Sequence, residues 1–416
     1  MRIVVIGAGI IGMTTAYFLR RDGHEVRVVD AGVAPGQLTS KANGAQLSYS
    51  FVAPLADPAV LPKLLSWLIR ADSPLRLRLR LDPAQWRWGL RFLAACTRTC
   101  SERSTRELLA LGARSRELMH QLVAEEQLDF QFGSPGKLLV YQDADAYRVA
   151  LRQLDYLASL GCEQHALDAA ACQSHEPALV DIGSRIVGGV LTPTEDVGDC
   201  QALCIELQRV LASGSLPVQF HFGTRVDRLQ VEKARVVALE TSAGVMEADA
   251  YVVANGIGAQ ALVRGVGIDP LIYPLKGYSL TYQLTERSSA PVTSISDVHN
   301  KVVYARLGDR LRVAGMVDIG DDTLTVDPGR IAALERQVQA YFPRLHAAAA
   351  PEAWTGLRPA RPDGKPLIGA TPLGGLWLNV GQGALGFTLA AGSAALLADR
   401  IAGRLAADIP AEMFTL

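Results

Sequence analysis

RIVVIGAGIIGMTTAYFLRRDGHEVRVVD, residues 2–30, is the stretch on which the fold turns. An apolar run at 2–6 predicts a buried strand, a glycine turn follows, apolar residues at helical spacing run to Arg21, and EVRVVD predicts a second strand. This is the start of a doubly wound α/β sheet. Gly7, Gly9 and Gly12 make G-x-G-x-x-G between the strand and the helix. The first glycine permits the tight turn, the second lets the backbone approach a pyrophosphate, and the third lets helix and strand pack closely. Ile10 and Ile11 carry the first N–H groups of the helix, where phosphate charge is favoured. Asp30, followed by Ala31, closes the second strand eighteen residues after Gly12, where a carboxylate can take hydrogen bonds from ribose hydroxyls.

Outward from this unit, 416 residues exceed one comfortable core, so two interlocked domains are expected. Nearly half the residues are apolar and the formal net charge is −1, which gives no global argument for nucleic acid or a membrane. No nucleic-acid partner is expected. The six cysteines include no C-x-x-C pair and the seven histidines do not gather near them, so no metal site is expected, and a reducing cytoplasm is the consistent compartment. Pro366 to Ala398 carries no charge and is long enough to span a bilayer, but its glycines, with Asn379 and Gln382, favour a buried strand, a glycine loop and a buried helix.

Residues 56–130 read as a helical, arginine-rich insert. From residue 273 to 316 strands follow one another too closely for intervening helices, which predicts antiparallel pairing. Glycine-bearing signals recur near 254–258, with Ala254 and Gly256, and at 381–386. Distant segments therefore gather around one large cofactor, which favours FAD over NAD.

Five stretches carry a family resemblance: GAGIIG (7–12), KANGAQLS (41–48), YPLKGYSLTY (273–282), GLRPARPDGKPLIG (356–369) and LNVGQGALGFTLAAGSAALLADRIAG (378–403). Together they resemble the bacterial D-amino acid dehydrogenases, within the glycine oxidase and D-amino acid oxidase family of flavoproteins, over essentially the whole chain. The resemblance implies a Rossmann-like FAD-binding domain assembled from 1–55, 145–185, 199–270 and 350–416. A substrate domain with a mixed or antiparallel sheet would comprise 56–144, 186–198 and 271–349. It also implies oxidation of a small D-amino acid to a 2-oxo acid and ammonia, with electrons passing to a quinone-type acceptor. The alternative is an oxygen-using oxidase of sarcosine, glycine or D-proline-type amines.

On the same ground, Arg358 in GLRP pairs with the substrate carboxylate, a task for which the planar guanidinium fork is suited. Tyr278 and Tyr304 are expected as hydrogen-bond donors over the flavin, and Arg306 as a second cationic wall. Asn43, Gly44 and Ala45 pass one side of the flavin. Gly381, Gly383, Ala384, Leu385, Gly386 and Thr388 form the turn and helix start against its other side, and Val226 lines the nucleotide. KANGAQ holds neither histidine nor cysteine, so FAD is expected to be noncovalent. Between 60 and 116, twelve cations face four acids, with Trp67, Trp86 and Trp88 among them. That composition suits peripheral contact with anionic lipid on the inner face of the cell membrane.

Overall fold

In the computed structural model, which describes residues 1–63, 73–406 and 408–416, the opening unit forms as β1 (Arg2–Ile6), α1 (Ile10–Arg21) and β2 (Glu25–Val29). β1 is buried from Ile3 onward, as a central parallel strand requires. Next come β3 (Gln46–Leu47), β4 (Leu75–Leu77), α2 (Pro83–Ala95) and the long α3 (Arg98–Glu126). Asp82 and Thr97 accept from backbone N–H groups in the first turns of α2 and α3, which is why the helices begin there.

The middle of the chain supplies β5 (Lys137–Tyr141), α4 (Ala144–Ser159), β6 (His165–Asp168), α5 (Ala169–His175), β7 (Gly188–Thr192), β8 (Asp196–Val197) and α6 (Cys200–Leu211). Short strands β9 (Gln219–His221), β10 (Val226–Glu232), β11 (Arg235–Thr241), β12 (Gly244–Glu247) and β13 (Ala250–Val253) then lead to α7 (Gly258–Arg264). The last third runs through β14 (Tyr273–Gln283), β15 (Ser294–Asp297), β16 (Val302–Leu307), β17 (Arg310–Ile319) and α8 (Pro328–Tyr341). It closes with β18 (Glu352–Ala360), β19 (Leu367–Ala370), β20 (Leu376–Val380) and α9 (Gly386–Ile401).

Two sheets organise these elements. A six-stranded sheet has the order β19-β20-β13-β1-β2-β9, parallel except for β19. A nine-stranded mixed sheet runs β18-β14-β17-β16-β15-β5-β7-β6, with β4 paired to β17. One core lies between the first sheet and α1, α3, α6 and α9; another lies between the second sheet and α8.

The segment boundaries differ from those expected at three places. Residues 145–185 go with the nine-stranded sheet, since β6 pairs with β7 and α5 follows it. β18 is that sheet's edge strand, paired with β14, although it lies within 350–416. The insert helix α3 joins the other core: Leu108, Leu111 and Met119 are buried there, and Gly392 of α9 leaves room for Leu111 and Ser115. Periodicity announces an apolar stripe but not its partner.

The insert's positive excess is also largely absorbed. Arg76 pairs with Asp318 and Asp327, Arg80 with Asp322, Arg87 with Asp269, and Arg114 with Asp399 and Asp408. Trp88 is buried and donates to the Ala360 carbonyl, whereas Trp86 is exposed. Trp67 and Arg70 lie outside the described residues. The helix spanning Gly383–Ile401 is apolar enough to cross a membrane by composition, but most of it is packed inside the protein, against α1 and α3.

Candidate active site

The glycine turn sits at the carboxyl ends of the parallel strands. Gly7 adopts φ 111°, and a Cβ there would lie 2.7 Å from the Ala254 carbonyl; one on Gly12 would overlap the Gly7 carbonyl. Gly9 has ordinary dihedrals, and a Cβ there would meet only Ser40 Oγ at an ordinary 3.5 Å, so its lack of a side chain serves approach from outside. Ile10 N–H donates to Ser40 Oγ at 3.1 Å, and the start of α1, including Ile11, has no side-chain cap of its own. Asp30 accepts from Ala8 N–H and Gly32 N–H, each at 2.6 Å. It therefore braces the turn against the loop at Ala31, with lone pairs left for a ribose. Ala254 is buried beside Gly7, Gly256 follows at φ 58°, and the Asn255 Oδ1 between them is a buried acceptor without a partner among the described residues. Val226 packs at the edge of the neighbouring apolar cluster.

A second wall is built where residues 39–48 cross the nine-stranded sheet. Ser279 Oγ donates to the Ala42 carbonyl at 2.7 Å, and Arg312 Nη1 donates to the Asn43 carbonyl at 3.0 Å. Asn43 Oδ1 accepts from Ala45 N–H, which helps hold Ala45 at φ 57°. A Cβ on Gly44 would come within 3.2 Å of Val303. The segment continues to Ser48, whose N–H donates to Thr388 Oγ1 at 3.0 Å and whose hydroxyl accepts from Lys137 Nζ at 2.8 Å. Burial pushes the Lys137 ammonium down to about 8. Gly381 (φ 84°) and Gly383 (φ 58°) carry the chain from β20 through Ala384 and Leu385 into Gly386, where α9 starts without a side-chain cap. Buried Gln382 donates to Asn379 Oδ1, and Asn379 in turn donates to Thr15 Oγ1, fixing this turn on α1.

Arg358 lies on the same face of the sheet as Ser279 and Ala314, by register through β14. Arg358 is half-buried, its guanidinium donates to the Met316 carbonyl at 3.2 Å, and no carboxylate pairs with it among the described residues. Burial lowers its pKa to about 10, so it remains cationic at neutral pH. A buried cation without an acid is costly unless a ligand completes it.

The other three expected substrate contacts fall elsewhere. Tyr278 and Tyr304 project to the opposite face of the sheet, into the core beneath α8. Tyr278 donates to Asp318 at 2.8 Å; Tyr304 packs on Tyr341 and Phe342 at ring separations of 5.5 and 5.0 Å. Arg306 bonds to the Gly308 carbonyl near the surface. Strand alternation decides this: Val303 and Ala305 face Gly44 and Ala45, so Tyr304 and Arg306 cannot. Sequence reasoning missed Ser40, Arg312 and Lys137. A charged residue within an otherwise apolar strand, as in RLRVAG or GKLLVY, was the available signal.

The chain is similar to known proteins over most of its length. The profile of the FAD dependent oxidoreductase (DAO) family matches residues 2–400. The chain is 50% identical over 414 residues to "D-amino acid dehydrogenase 2" of Ralstonia nicotianae, covering 97% of both chains. It is 44% identical to "D-amino acid dehydrogenase 2" of Pseudomonas aeruginosa, covering 97% of this chain and 95% of that one. Among solved structures, glycine oxidase from Geobacillus kaustophilus superposes with a TM-score of 0.78 at 20% identity, covering 100% of this chain and 98% of that chain.

Proposed function

Because the chain belongs to the FAD dependent oxidoreductase family, we propose that it oxidises D-amino acids to 2-oxo acids and ammonia and delivers the electrons to a quinone-type acceptor. The observation that carries the substrate assignment is Arg358, a half-buried arginine with no carboxylate partner among the described residues, on the sheet face that the segment 42–45 crosses. The names of the relatives, at up to 50% identity over nearly the whole chain, support the D-amino acid.

The residues present fit noncovalent FAD. Gly7 and Gly12 have no room for a Cβ, the orphan Asn255 Oδ1 adjoins the turn, and the helix starts at Ile10 and Gly386 offer N–H groups for negative charge. Bound FAD supplies the acceptor for the hydride that leaves the substrate Cα. The protein's part is orientation. Arg358 pairs with the carboxylate and so fixes the direction of the Cα–H bond. The neutral amine supplies its own lone pair as the C–H bond breaks, so no protein base is needed at that step. Water then hydrolyses the imine to the 2-oxo acid and ammonia.

Peripheral contact with a membrane belongs to the same reading. It is supported by exposed Leu79, Leu81, Trp86, Leu90 and Leu93 on and beside α2, whereas the pairing of the neighbouring arginines removes most of the charge argument. Anaerobic addition of D-amino acids to the purified protein should bleach its flavin absorbance, with slow recovery in air and fast recovery with a quinone. Bleaching by sarcosine or glycine alone, with rapid reoxidation and peroxide, would replace this reading with the oxidase.

A further inference from the structure

Two glycines face each other across the β14–β18 ladder, Gly277 and Gly356. Neither has a positive φ, so backbone conformation does not require them, and glycine within a strand weakens it. Space explains both. A Cβ on Gly277 would run into the guanidinium of Arg358, and one on Gly356 would lie 2.6 Å from the Cζ2 of the Trp354 ring and closer still to its outer edge. Each large side chain therefore lies flat over a glycine. Directly paired positions place their Cβ sites about 5 Å apart, so the indole edge and the guanidinium are neighbours on one face. Trp354 pairs in register with Ser279, the residue that holds the Ala42 carbonyl. The indole thus shares one sheet face with Arg358 and with the Ser279 that holds the Ala42 carbonyl, and it remains half-buried between buried Thr355 and Gly356 and exposed Ala353.

We propose that Trp354 is the specificity-determining wall of the substrate pocket, contacting the side chain of an apolar or aromatic D-amino acid whose carboxylate pairs with Arg358. This rests on the substrate reading given above. An aromatic face next to the carboxylate anchor rewards a large apolar substituent and gives little to a methyl group, because dispersion and apolar burial scale with contact area.

The test uses the FAD-loaded enzyme and its Trp354→Ala and Trp354→Phe variants. Two measurements run in parallel: anaerobic flavin bleaching by D-phenylalanine and D-alanine, and binding of benzoate and acetate followed by the flavin spectrum without turnover. Trp354→Ala should weaken D-phenylalanine and benzoate by about tenfold or more while D-alanine and acetate change by less than about threefold, and Trp354→Phe should recover most of the loss. Equal losses for large and small ligands, or tighter binding of the large ones, would overturn the assignment. If no D-amino acid bleaches even the unaltered enzyme, the substrate reading fails, and benzoate against acetate still decides whether the wall exists.

Discussion

Arg358 and the glycine beneath it can be altered separately, and the two changes have different expected signatures. Arg358→Met removes a bidentate, charge-assisted contact, so kcat/KM for a D-amino acid should fall by about a hundredfold or more, with FAD content unchanged. Arg358→Lys should restore part of that, since a point charge replaces a fork. Gly277→Ala keeps the arginine but displaces its guanidinium, so carboxylate affinity should fall while the spectrum of the bound flavin stays the same. Loss of FAD in either variant would show that Arg358 supports the cofactor and not the substrate. The lowered pKa of Arg358 adds a pH test: burial favours its neutral form, so benzoate affinity should be flat through neutral pH and weaken above about pH 10. At this scale the sequence was partly legible. GLRP identified Arg358 through resemblance, and the turn glycines followed from backbone geometry. Tyr278 and Tyr304 were misplaced because the pairing of β14 and β16 with β17 sets which face each residue takes, and a single sequence gives the alternation without its phase.

Helix α9 shows how a long apolar stretch acquires its meaning from its neighbours. The charge-free run from 366 to 398 could be read as strand, glycine loop and helix because Asn379 and Gln382 interrupt it, and those two side chains do fix the turn onto Thr15. What the sequence could not give was the partner of α3, whose residues Leu111 and Ser115 press against Gly392. A Cβ at Gly392 would lie 2.7 Å from the Leu111 carbonyl, so backbone, not a movable side-chain tip, stands in the way. Gly392→Leu should therefore destabilise the protein by about 3 kcal/mol, or prevent soluble expression. Gly392→Ala should show a smaller loss in the same direction by thermal melting. An unchanged melting midpoint for both would mean that α3 and α9 can move apart at little cost, and that the shared core is looser than its burial indicates.

Across the whole molecule, acids of one segment hold cations of another, which explains why the local charge excess of the insert did not survive folding. Arg76, from β4, reaches Asp318 and Asp327, while Arg330 closes on Asp318 from α8. Lys276 pairs with Asp321 at 3.0 Å, and Lys365 joins the chain's last third to Glu107 of α3 at 2.7 Å. Apart from Arg330 and Asp318, the partners of these pairs lie far apart in sequence, so composition could register the surplus without its neutralisation. Burial alone would raise the carboxyl pKa values of Asp321, Asp327 and Glu107. The hydrogen bonds from Lys276 and Thr323, from Arg76, and from Lys365 and Arg103 outweigh it, so all three are lowered. A carboxylate with a depressed pKa in the folded state contributes stability that is present above its unfolded value, near 4, and is lost as pH falls through its folded value. The melting midpoint should thus be nearly level from pH 7 to about 5 and fall steeply below about 4. Asp327→Asn should lower the midpoint at pH 7, where its interaction with Arg76 is lost, and make the acid fall shallower, because one of the protonations that drives it has been removed. A variant whose curve is shifted down in parallel, with the same slope in acid, would show that Asp327 contributes packing and not charge.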